Sequence, residues 1–227
     1  MPRTARIVIP GVPHHVTQRG NNKQDVFFTP EDRRVYLSML RNFASRLQLK
    51  VMGYCLMSNH VHLVAIPPDE KALARVLGRV HFLYAQHVND TYGRSGHLWQ
   101  NRFHSCALDE QHFWAALRYI EQNPLRAGLT GPPWEYAWSS AAGHIGEKDA
   151  TGLMDAEEWR RMMSPEEWKG LLGGTVAQEQ LGCIRTSTLT GRPAGCDAFI
   201  ARLEAAFGRR LRPLPGGRPK RKPGTVT

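Results

Sequence analysis

The sequence predicts an α+β fold, in which helices pack against a ferredoxin-like, split βαβ antiparallel sheet. Three observations support this class. Segments with strand and helix periodicity follow one another in the order β-α-β-β-α-β-α over the first 123 residues. A tight turn at Ser58 and Asn59 joins the two middle strands. Helix caps and prolines mark where the helices begin and end.

The predicted elements have local start and stop signals. Strands are predicted at residues 12–19, 49–57, 60–66 and 97–108, and helices at residues 30–47, 69–92 and 109–123. Thr29 is a typical N-cap, and Pro30 follows it at the first helical position. Pro67 and Pro68 stop the third strand. Pro124 disfavours helical geometry at the residue before it, so the third helix should end there.

The charge of the chain favours a polyanionic partner. Thirty Lys and Arg residues against 20 Asp and Glu give a formal net charge of +10. Residues 209–227 contain seven basic residues and residues 1–24 contain four, and neither segment contains an acid. Nucleic acid is the commonest polyanion that such basic segments bind. A basic surface without a specific partner is the alternative on charge alone.

Composition also bears on location. No apolar run approaches the roughly 20 residues that a membrane-spanning helix needs. The four Cys residues form no CxxC pair, which is typical of reduced, packed cysteines. We therefore expect a cytoplasmic protein without a membrane partner.

A His-x-His pair provides the first candidate site. His60 and His62 are two residues apart in a predicted strand, so their side chains point to the same face. Two neighbouring imidazoles can bind a divalent metal together. A pair of surface histidines without a ligand is the alternative, because this short pattern also arises by chance.

Tyr119 and Asn123 provide the second candidate site. They are four residues apart in a predicted helix and so share a face. A tyrosine oxygen can attack a phosphodiester and hold DNA covalently, and an amide oxygen is a suitable ligand for a hard cation. A packing role is the alternative for Tyr119, since most helical tyrosines pack in the core.

Six segments, in order, resemble the REP-associated tyrosine transposases, a branch of the single-tyrosine HUH transposases. The segments are residues 13–21 (PHHVTQRGN), 57–64 (MSNHVHLV), 98–103 (LWQNRF), 119–129 (YIEQNPLRAGL), 138–140 (WSS) and 190–193 (TGRP). The resemblance implies that His60, His62 and Asn123 hold Mg²⁺ or Mn²⁺. It implies that Tyr119 is the nucleophile. It further implies cleavage of single-stranded DNA at hairpins called repetitive extragenic palindromes, through a 5′-phosphotyrosine.

With this resemblance, three regions are predicted along the chain. Residues 1–145 would form the transposase catalytic domain, residues 146–212 a helical C-terminal extension, and residues 213–227 a basic tail. Helices are expected in the extension at residues 155–163, 164–172 and 195–208. The composition of the tail favours disorder without a partner. We expect a monomer, with a dimer as the alternative.

Further residues are candidates for contacting the DNA. Five polar or cationic residues near the proposed site could hold phosphates or bases: Arg19, Asn21, Lys23, Arg102 and Arg126. Trp99 and Phe103 could stack on bases, with core packing as the alternative. Four residues of the tail could form an arm along the DNA: Arg218, Lys220, Arg221 and Lys222.

Three other functions stay open at this point. The first is a non-catalytic DNA hairpin-binding protein or repressor. The second is a metal-dependent hydrolase that uses water, with Tyr119 in a structural role. The third is a zinc-stabilised domain, against which the absence of paired cysteines argues.

Overall fold

The computed structural model describes residues 6–147, 149 and 151–213 of the chain. Four strands form an antiparallel sheet in the order β2-β3-β1-β4. They are β1 (His14–Arg19), β2 (Lys50–Leu56), β3 (His60–Ile66) and β4 (His104–Ala107). Long helices follow β1 and β3, which is the split βαβ arrangement, so the predicted fold class is confirmed.

The helices cover both faces of the sheet. Those of the described residues are α1 (Pro30–Arg46), α2 (Ala72–Tyr92), α3 (Glu110–Glu121), α4 (Asn123–Arg126), α5 (Ala141–His144), α6 (Ala156–Met162), α7 (Pro165–Gly173), α8 (Gln178–Thr190) and α9 (Asp197–Phe207). Single 3-10 turns lie at Asn21–Lys23 and Pro133–Glu135. Helices α1 and α2 pack on one face, and α3 and α8 pack on the other.

Strand β3 divides its side chains between two cores. Val61 and Leu63 are buried in the core formed with α1 and α2. Val64 is buried in a second core, formed with α3 and α8. Because side chains alternate along a strand, His60 and His62 face the same way as Val64. Both histidines therefore point towards α3 and α8.

The predicted helix starts are confirmed at the caps. The Thr29 Oγ1 accepts the Asp32 backbone N–H at 3.3 Å, and the Asp32 carboxylate accepts the Thr29 N–H at 2.8 Å. Ser164 and Glu167 form the same reciprocal cap at the start of α7. Such an N-cap stabilises a helix by about 1 kcal/mol. The signals were local, which explains why the sequence placed α1 and α7 within a residue or two.

The predicted strand at residues 97–108 is wrong over its first half. Only His104–Ala107 is a strand, and Trp99 makes a single isolated bridge to Gly20. Gly96 has a φ of 89° and Asn101 a φ of 57°, so the backbone cannot stay extended through this segment. The segment is instead a loop that leads into a short edge strand.

Helix α3 also ends earlier than predicted. It stops at Glu121, and a separate short helix begins at Asn123. Pro124 has no N–H to donate to the carbonyl of Ile120, so the helical hydrogen-bond ladder is interrupted there. Tyr119 and Asn123 consequently lie in two different helices.

Helix α8 was not predicted from the sequence. Its N-cap makes no side-chain hydrogen bond, it contains Gly182, and its last turns are rich in Ser and Thr. These residues are weak helix formers. Leu181, Ile184 and Thr188 are buried against α3 and β4, so tertiary packing rather than local propensity stabilises this helix.

The rest of the C-terminal region packs against the sheet domain. The predicted helices of the extension correspond to α6, α7 and α9. Isolated bridges join Met154 to Val51 and Ala194 to Leu108. The division at residue 145 stays a prediction. Among the described helices, none has the length and apolarity needed to cross a membrane.

Candidate active site

A cavity of about 330 Å³ lies between the sheet and helices α3 and α8. Strand β1 contributes Thr17 and Arg19, and strand β3 contributes His60 and His62. Thr17 pairs with His62 and Arg19 with His60 across the two strands. Directly paired residues share a face of the sheet, so the strand register alone brings these four side chains together.

His60 has one ring nitrogen engaged by its own turn. Its Nδ1 lies 2.6 Å from Oδ1 of Asn59. The Asn59 Nδ2 donates to the Lys23 carbonyl at 3.0 Å, which fixes the amide with its oxygen towards His60. Because that oxygen only accepts, Nδ1 of His60 carries the hydrogen. Its Nε2 is left with a free lone pair.

His62 is held by a second histidine. Its Nδ1 lies 3.0 Å from Nε2 of His15, and the two rings are 12° from parallel. Nδ1 of His15 in turn lies 2.7 Å from Oγ1 of Thr188 in α8. The rings of His60 and His62 are 4.9 Å apart, so their remaining nitrogens can serve one ligand.

Tyr119 closes the cavity from α3. Its ring stands edge-on to His62, with centroids 5.6 Å apart, and its side chain is largely buried. The Tyr119 hydroxyl accepts a hydrogen bond from Nε of Arg185 at 3.4 Å. The guanidinium of Arg126 lies over the Tyr119 ring, 4.5 Å from its centre. Tyr119 therefore lines the cavity beside the two histidines, with Arg185 at its hydroxyl and Arg126 over its ring.

Asn123 does not line this cavity. Its Oδ1 accepts from Nη2 of Arg126 at 3.0 Å, and its Nδ2 is buried without a partner among the described residues. The same Arg126 nitrogen donates to the backbone carbonyl of Tyr119 at 2.9 Å. A role for Asn123 as third metal ligand therefore stays a prediction, and it requires the amide oxygen to leave Arg126.

The donor set fits a divalent cation on a two-histidine platform. His60 offers an unprotonated Nε2, and His62 offers its Nε2 when the ring hydrogen is on Nδ1. Over the described ranges, no group of three His, Cys, Asp or Glu residues is arranged to hold a metal. The remaining ligands would have to be water, an amide oxygen or oxygens of a bound substrate, which are ligands that Mg²⁺ accepts.

Burial keeps these histidines neutral. Burial, and then the charge of Arg19, lowers the pKa of His60 to about 4. Burial alone lowers the pKa of His15 to about 4. The pKa of His62 is lowered well below its ordinary value, by burial first and then by His15 and His60. Neutral imidazole is the form that binds metals, so the lowered pKa values suit these rings to a ligand role.

Of the predicted DNA contacts, some lie at the cavity and others lie in loops next to the sheet. Arg19 lines the cavity, and Arg126 packs on Tyr119. Asn21 and Lys23 lie in the 3-10 turn after β1, with Lys23 exposed. Arg102 is exposed in the loop before β4. Arg218, Lys220, Arg221 and Lys222 lie outside the described residues.

The base-stacking role of Phe103 stays a prediction, and the structure places this ring in the core. The ring is buried, and the guanidinium of Arg6 lies 3.7 Å from its centre. Trp99 is half-buried against Tyr36 and Tyr84, and its Nε1 donates to the carbonyl of His81 at 3.0 Å. Core packing, the alternative considered for both rings, describes them better.

A second cleft of about 560 Å³ adjoins the cavity, and His104, Thr188 and Leu189 line both. Five arginines line it: Arg6, Arg102, Arg192, Arg209 and Arg210. We call it the arginine cleft. No acidic side chain lines it, and none of the five forms an ion pair with any residue that the structure describes. Its positive charge is therefore uncompensated.

Three residues of the site were not predicted from the sequence: His15, Arg185 and Thr188. His15 lies two residues before Thr17 and four before Arg19, so strand periodicity could have placed it on the same face. Arg185 and Thr188 carried no such signal, because α8 itself was not predicted.

Residues 10–123, half of the chain, match the family model described as transposase IS200 like. The chain belongs to the IS200-like transposase family, and its function is of the DNA transposase type. The match spans β1 to α3 and ends at Asn123, so helix α8 lies outside it.

Three solved structures resemble this chain to different extents. A REP-associated tyrosine transposase bound to a REP hairpin is 15% identical, with a TM-score of 0.51 over 69% of this chain and 90% of that one. A putative transposase from Deinococcus radiodurans is 20% identical (TM-score 0.35; 53% and 97% covered). A tRNA(His) guanylyltransferase from Saccharomyces cerevisiae is 11% identical (TM-score 0.41; 84% and 82% covered). Only the first likeness is strong enough to support the fold. Among curated proteins, none matches this chain.

Proposed function

We propose that this transposase cuts and rejoins single-stranded DNA with Tyr119 as the nucleophile and a divalent cation on His60 and His62. One observation carries the proposal: Tyr119 and a same-face histidine pair line one cavity, with the centre of the Tyr119 ring 5.6 Å from that of His62. A tyrosine in a packing role alone would not need to line a cavity together with ligand-type histidines. Strand transfer by such a site needs no water and no organic cofactor.

The reaction is an exchange of phosphodiester bonds. The Tyr119 oxygen attacks the phosphorus, a bond between them forms, and the bond from phosphorus to the 3′ oxygen breaks. The products are a 5′-phosphotyrosine and a free 3′-OH. The proton that Tyr119 loses is balanced by the proton that the 3′ oxygen gains. Attack by a 3′-OH on the phosphotyrosine reverses the exchange and joins strands.

His60 and His62 would hold the cation, Mg²⁺ or Mn²⁺, through their Nε2 atoms. The cation would withdraw charge from the phosphate oxygens. Asn123 would be a third ligand once its amide oxygen is released from Arg126. The chain holds these imidazoles neutral and oriented before any ligand arrives.

Arg185 and Arg126 would assist the nucleophile. The Arg185 Nε–H already points at the Tyr119 oxygen, so it can stabilise the negative charge that develops there. Arg126 fixes Tyr119 through two further contacts: it donates to the Tyr119 backbone carbonyl, and its guanidinium lies over the ring. Chain residues thereby orient the attacking oxygen.

The arginine cleft would bind the phosphates of the DNA beside the cavity. Five guanidinium groups without acidic partners favour a polyanion, and arginine binds phosphate through paired hydrogen bonds. The structural relative bound to a REP hairpin supports a DNA hairpin as the substrate class. The tail residues Arg218, Lys220, Arg221 and Lys222 stay a proposed additional arm.

A nicking assay on an end-labelled single-stranded hairpin tests the proposal. Wild type with Mg²⁺ should cut the strand and leave a protein–DNA adduct stable on a denaturing gel. Tyr119→Phe should bind the hairpin within a few-fold of wild type but form neither product nor adduct, because only the hydroxyl is lost. Cutting without an adduct would instead support a water-using hydrolase, and binding without cutting by wild type would support a hairpin-binding protein.

A further inference from the structure

We infer that helix α8 sets the tautomer and orientation of His62 through a hydrogen-bonded chain from Thr188 to His15 to His62. Its significance rests on the proposed function, in which His62 holds a cation. Thr188 and His15 are positioning residues in this row of hydrogen bonds, since both act on the cation site through His62. Thr188 comes from the extension, outside the part of the chain that matches the family.

Thr188 determines which atoms donate and which accept in this row of hydrogen bonds. Its hydroxyl donates to the carbonyl of Ile184, one turn earlier in α8, at 2.7 Å. A hydroxyl has one hydrogen, so Oγ1 can only accept from its other neighbours. Nδ1 of His15, at 2.7 Å, must therefore carry a hydrogen and donate it to Thr188.

Cys106 is consistent with this direction. Its Sγ lies 3.2 Å from the same Thr188 oxygen. Since the hydroxyl hydrogen is used on Ile184, the thiol must be the donor in this contact as well. The hydroxyl oxygen thus accepts twice and donates once, which uses its full hydrogen-bonding capacity.

The tautomer of His15 determines the tautomer of His62. His15 is 2% exposed and makes no ion pair with any described residue, so the uncharged ring is favoured. A neutral ring with its hydrogen on Nδ1 has a lone pair on Nε2. The Nδ1–H of His62 donates to that lone pair over 3.0 Å.

The ring geometry supports a direct in-plane hydrogen bond. The ring centres are 5.2 Å apart and the planes differ by 12°. With the two nitrogens 3.0 Å apart, these values describe rings lying side by side rather than one above the other. The N–H of His62 can therefore point along the lone pair of His15, as a linear hydrogen bond requires.

The consequence is that Nε2 of His62 is unprotonated and available to the cavity. With the opposite tautomer, an N–H would point at the position a cation needs. His60 reaches the same state through Asn59, within its own turn, whereas His62 depends on a residue 126 positions later in the chain. Removing such an outer partner typically lowers metal affinity by about 10- to 100-fold.

Thr188→Val and Thr188→Ser form a matched pair of variants. Valine keeps the branched shape but removes the hydroxyl, so His15 can adopt the other tautomer. The hydrogen bond between His15 and His62 would then run in the opposite direction. Serine restores the hydroxyl with one methyl group fewer. Both variants are first compared with wild type by thermal unfolding, so that a folding defect is recognised.

Two measurements on the full-length, metal-free protein test the inference. Long-range ¹H–¹⁵N correlation spectra of ¹⁵N-histidine protein should show His62 protonated at Nδ1, with its signals assigned by their loss in His62→Gln. Calorimetric titration with Mn²⁺ should show an affinity reduced about 10- to 100-fold in Thr188→Val and within about 3-fold of wild type in Thr188→Ser.

The outcomes separate this inference from the proposed function. Protonation of His62 at Nε2 in wild type, or equal Mn²⁺ affinities for the Val and Ser variants, would overturn the inference. Absence of Mn²⁺ binding by wild type would contradict the metal role of His62, while the spectra still decide whether the chain of hydrogen bonds sets its tautomer. The spectra of the wild type alone suffice if Thr188→Val does not fold.

Discussion

At the residue scale, the candidate site consists of few groups with distinct tasks. His60 and His62 offer ring nitrogens, Tyr119 offers a hydroxyl, and Arg185 and Arg126 place positive charge beside it. The alternation of side chains along a strand predicted that the two histidines share a face. The position of Tyr119 next to them depended on the resemblance to a family, because sequence alone does not show which helix crosses the sheet at this place.

The first prediction concerns the histidine pair. His60→Ala and His62→Ala should each abolish Mn²⁺ binding and hairpin cleavage, because one imidazole cannot hold the cation alone. Asn123→Ala should reduce cleavage far less, since water can replace an amide oxygen on the cation. The measurement is cleavage against Mn²⁺ concentration, with EDTA-treated wild type as the reference. Undiminished cleavage in EDTA would contradict the metal role.

The second prediction concerns Arg185. Arg185→Gln should slow formation of the covalent adduct about 100- to 1,000-fold, as for loss of a single donor to a developing negative charge. Hairpin affinity should fall far less than this rate, because Arg185 is only one of the cations that line the cavity and the arginine cleft. Single-turnover kinetics at saturating DNA measure the effect. Equal rates for Arg185→Gln and wild type would show that this arginine has no part in activating Tyr119.

At the element scale, the arginine cleft is built from segments distant in sequence. Arg6 precedes β1, Arg102 precedes β4, Arg192 follows α8, and Arg209 and Arg210 follow α9. Both ends of the chain are basic in sequence, but the DNA arm was predicted only in the tail. The structure adds a cleft beside the cavity, formed where these segments meet.

The third prediction tests this cleft by salt dependence. Arg102→Gln with Arg209→Gln should weaken hairpin binding and reduce the slope of log K against log[salt] by about 1.4–1.8, at 0.7–0.9 per lost phosphate contact. Arg46→Gln with Arg160→Gln is the matched control, because these exposed arginines lie away from the cleft. Equal slopes for the two double variants would remove the cleft from the binding surface.

The elements differ in how far the sequence could predict them. Helix α1 has a reciprocal cap and a proline at its start, so local chemistry located it. Helix α8 has neither a reciprocal cap nor a proline at its start. Its buried residues are defined by contacts with α3 and β4, which the sequence does not reveal. The part of the site that the sequence missed, Thr188 and Arg185, lies on that helix. Non-local packing, rather than a weak motif, explains the omission.

At the scale of the whole molecule, buried neutral histidines link stability to pH. Burial is the main cause that lowers the pKa of His14, His15 and His60 to about 4 each, and of His81 to about 3. In the unfolded chain, histidine has a pKa of about 6.5. Between these values the unfolded state binds protons that the folded state does not, so acid favours unfolding.

The fourth prediction follows from that sign. The free energy of unfolding of the metal-free protein should be constant just above pH 7 and fall as the pH drops from about 6.5 towards 4. Each histidine contributes at most about 1.4 kcal/mol per pH unit. Urea unfolding at several pH values measures the slope. A stability that rises on acidification through this window would contradict the neutral state of these histidines.

The fifth prediction concerns the junction between the sheet domain and the extension. Glu121 of α3 is fully buried, and its carboxylate accepts from Trp168 Nε1 at 2.8 Å and lies 2.6 Å from His144 Nδ1. Glu121→Gln should lower the free energy of unfolding by about 1–3 kcal/mol, because the amide NH₂ replaces an acceptor oxygen and leaves a buried donor unpaired. Glu70→Gln, at an exposed position, is the control. Equal free energies of unfolding for the two variants would show that the hydrogen bonds of Glu121 do not stabilise the fold.

The central claim is that Tyr119 becomes covalently attached to DNA. The most direct measurement is mass spectrometry of the protease-digested adduct formed with a cognate single-stranded hairpin and Mg²⁺. We predict that a nucleotide remnant, joined through its 5′ phosphate, is found on the peptide that contains Tyr119. DNA cleavage with no modified peptide, or with the remnant on a different residue, would contradict the account.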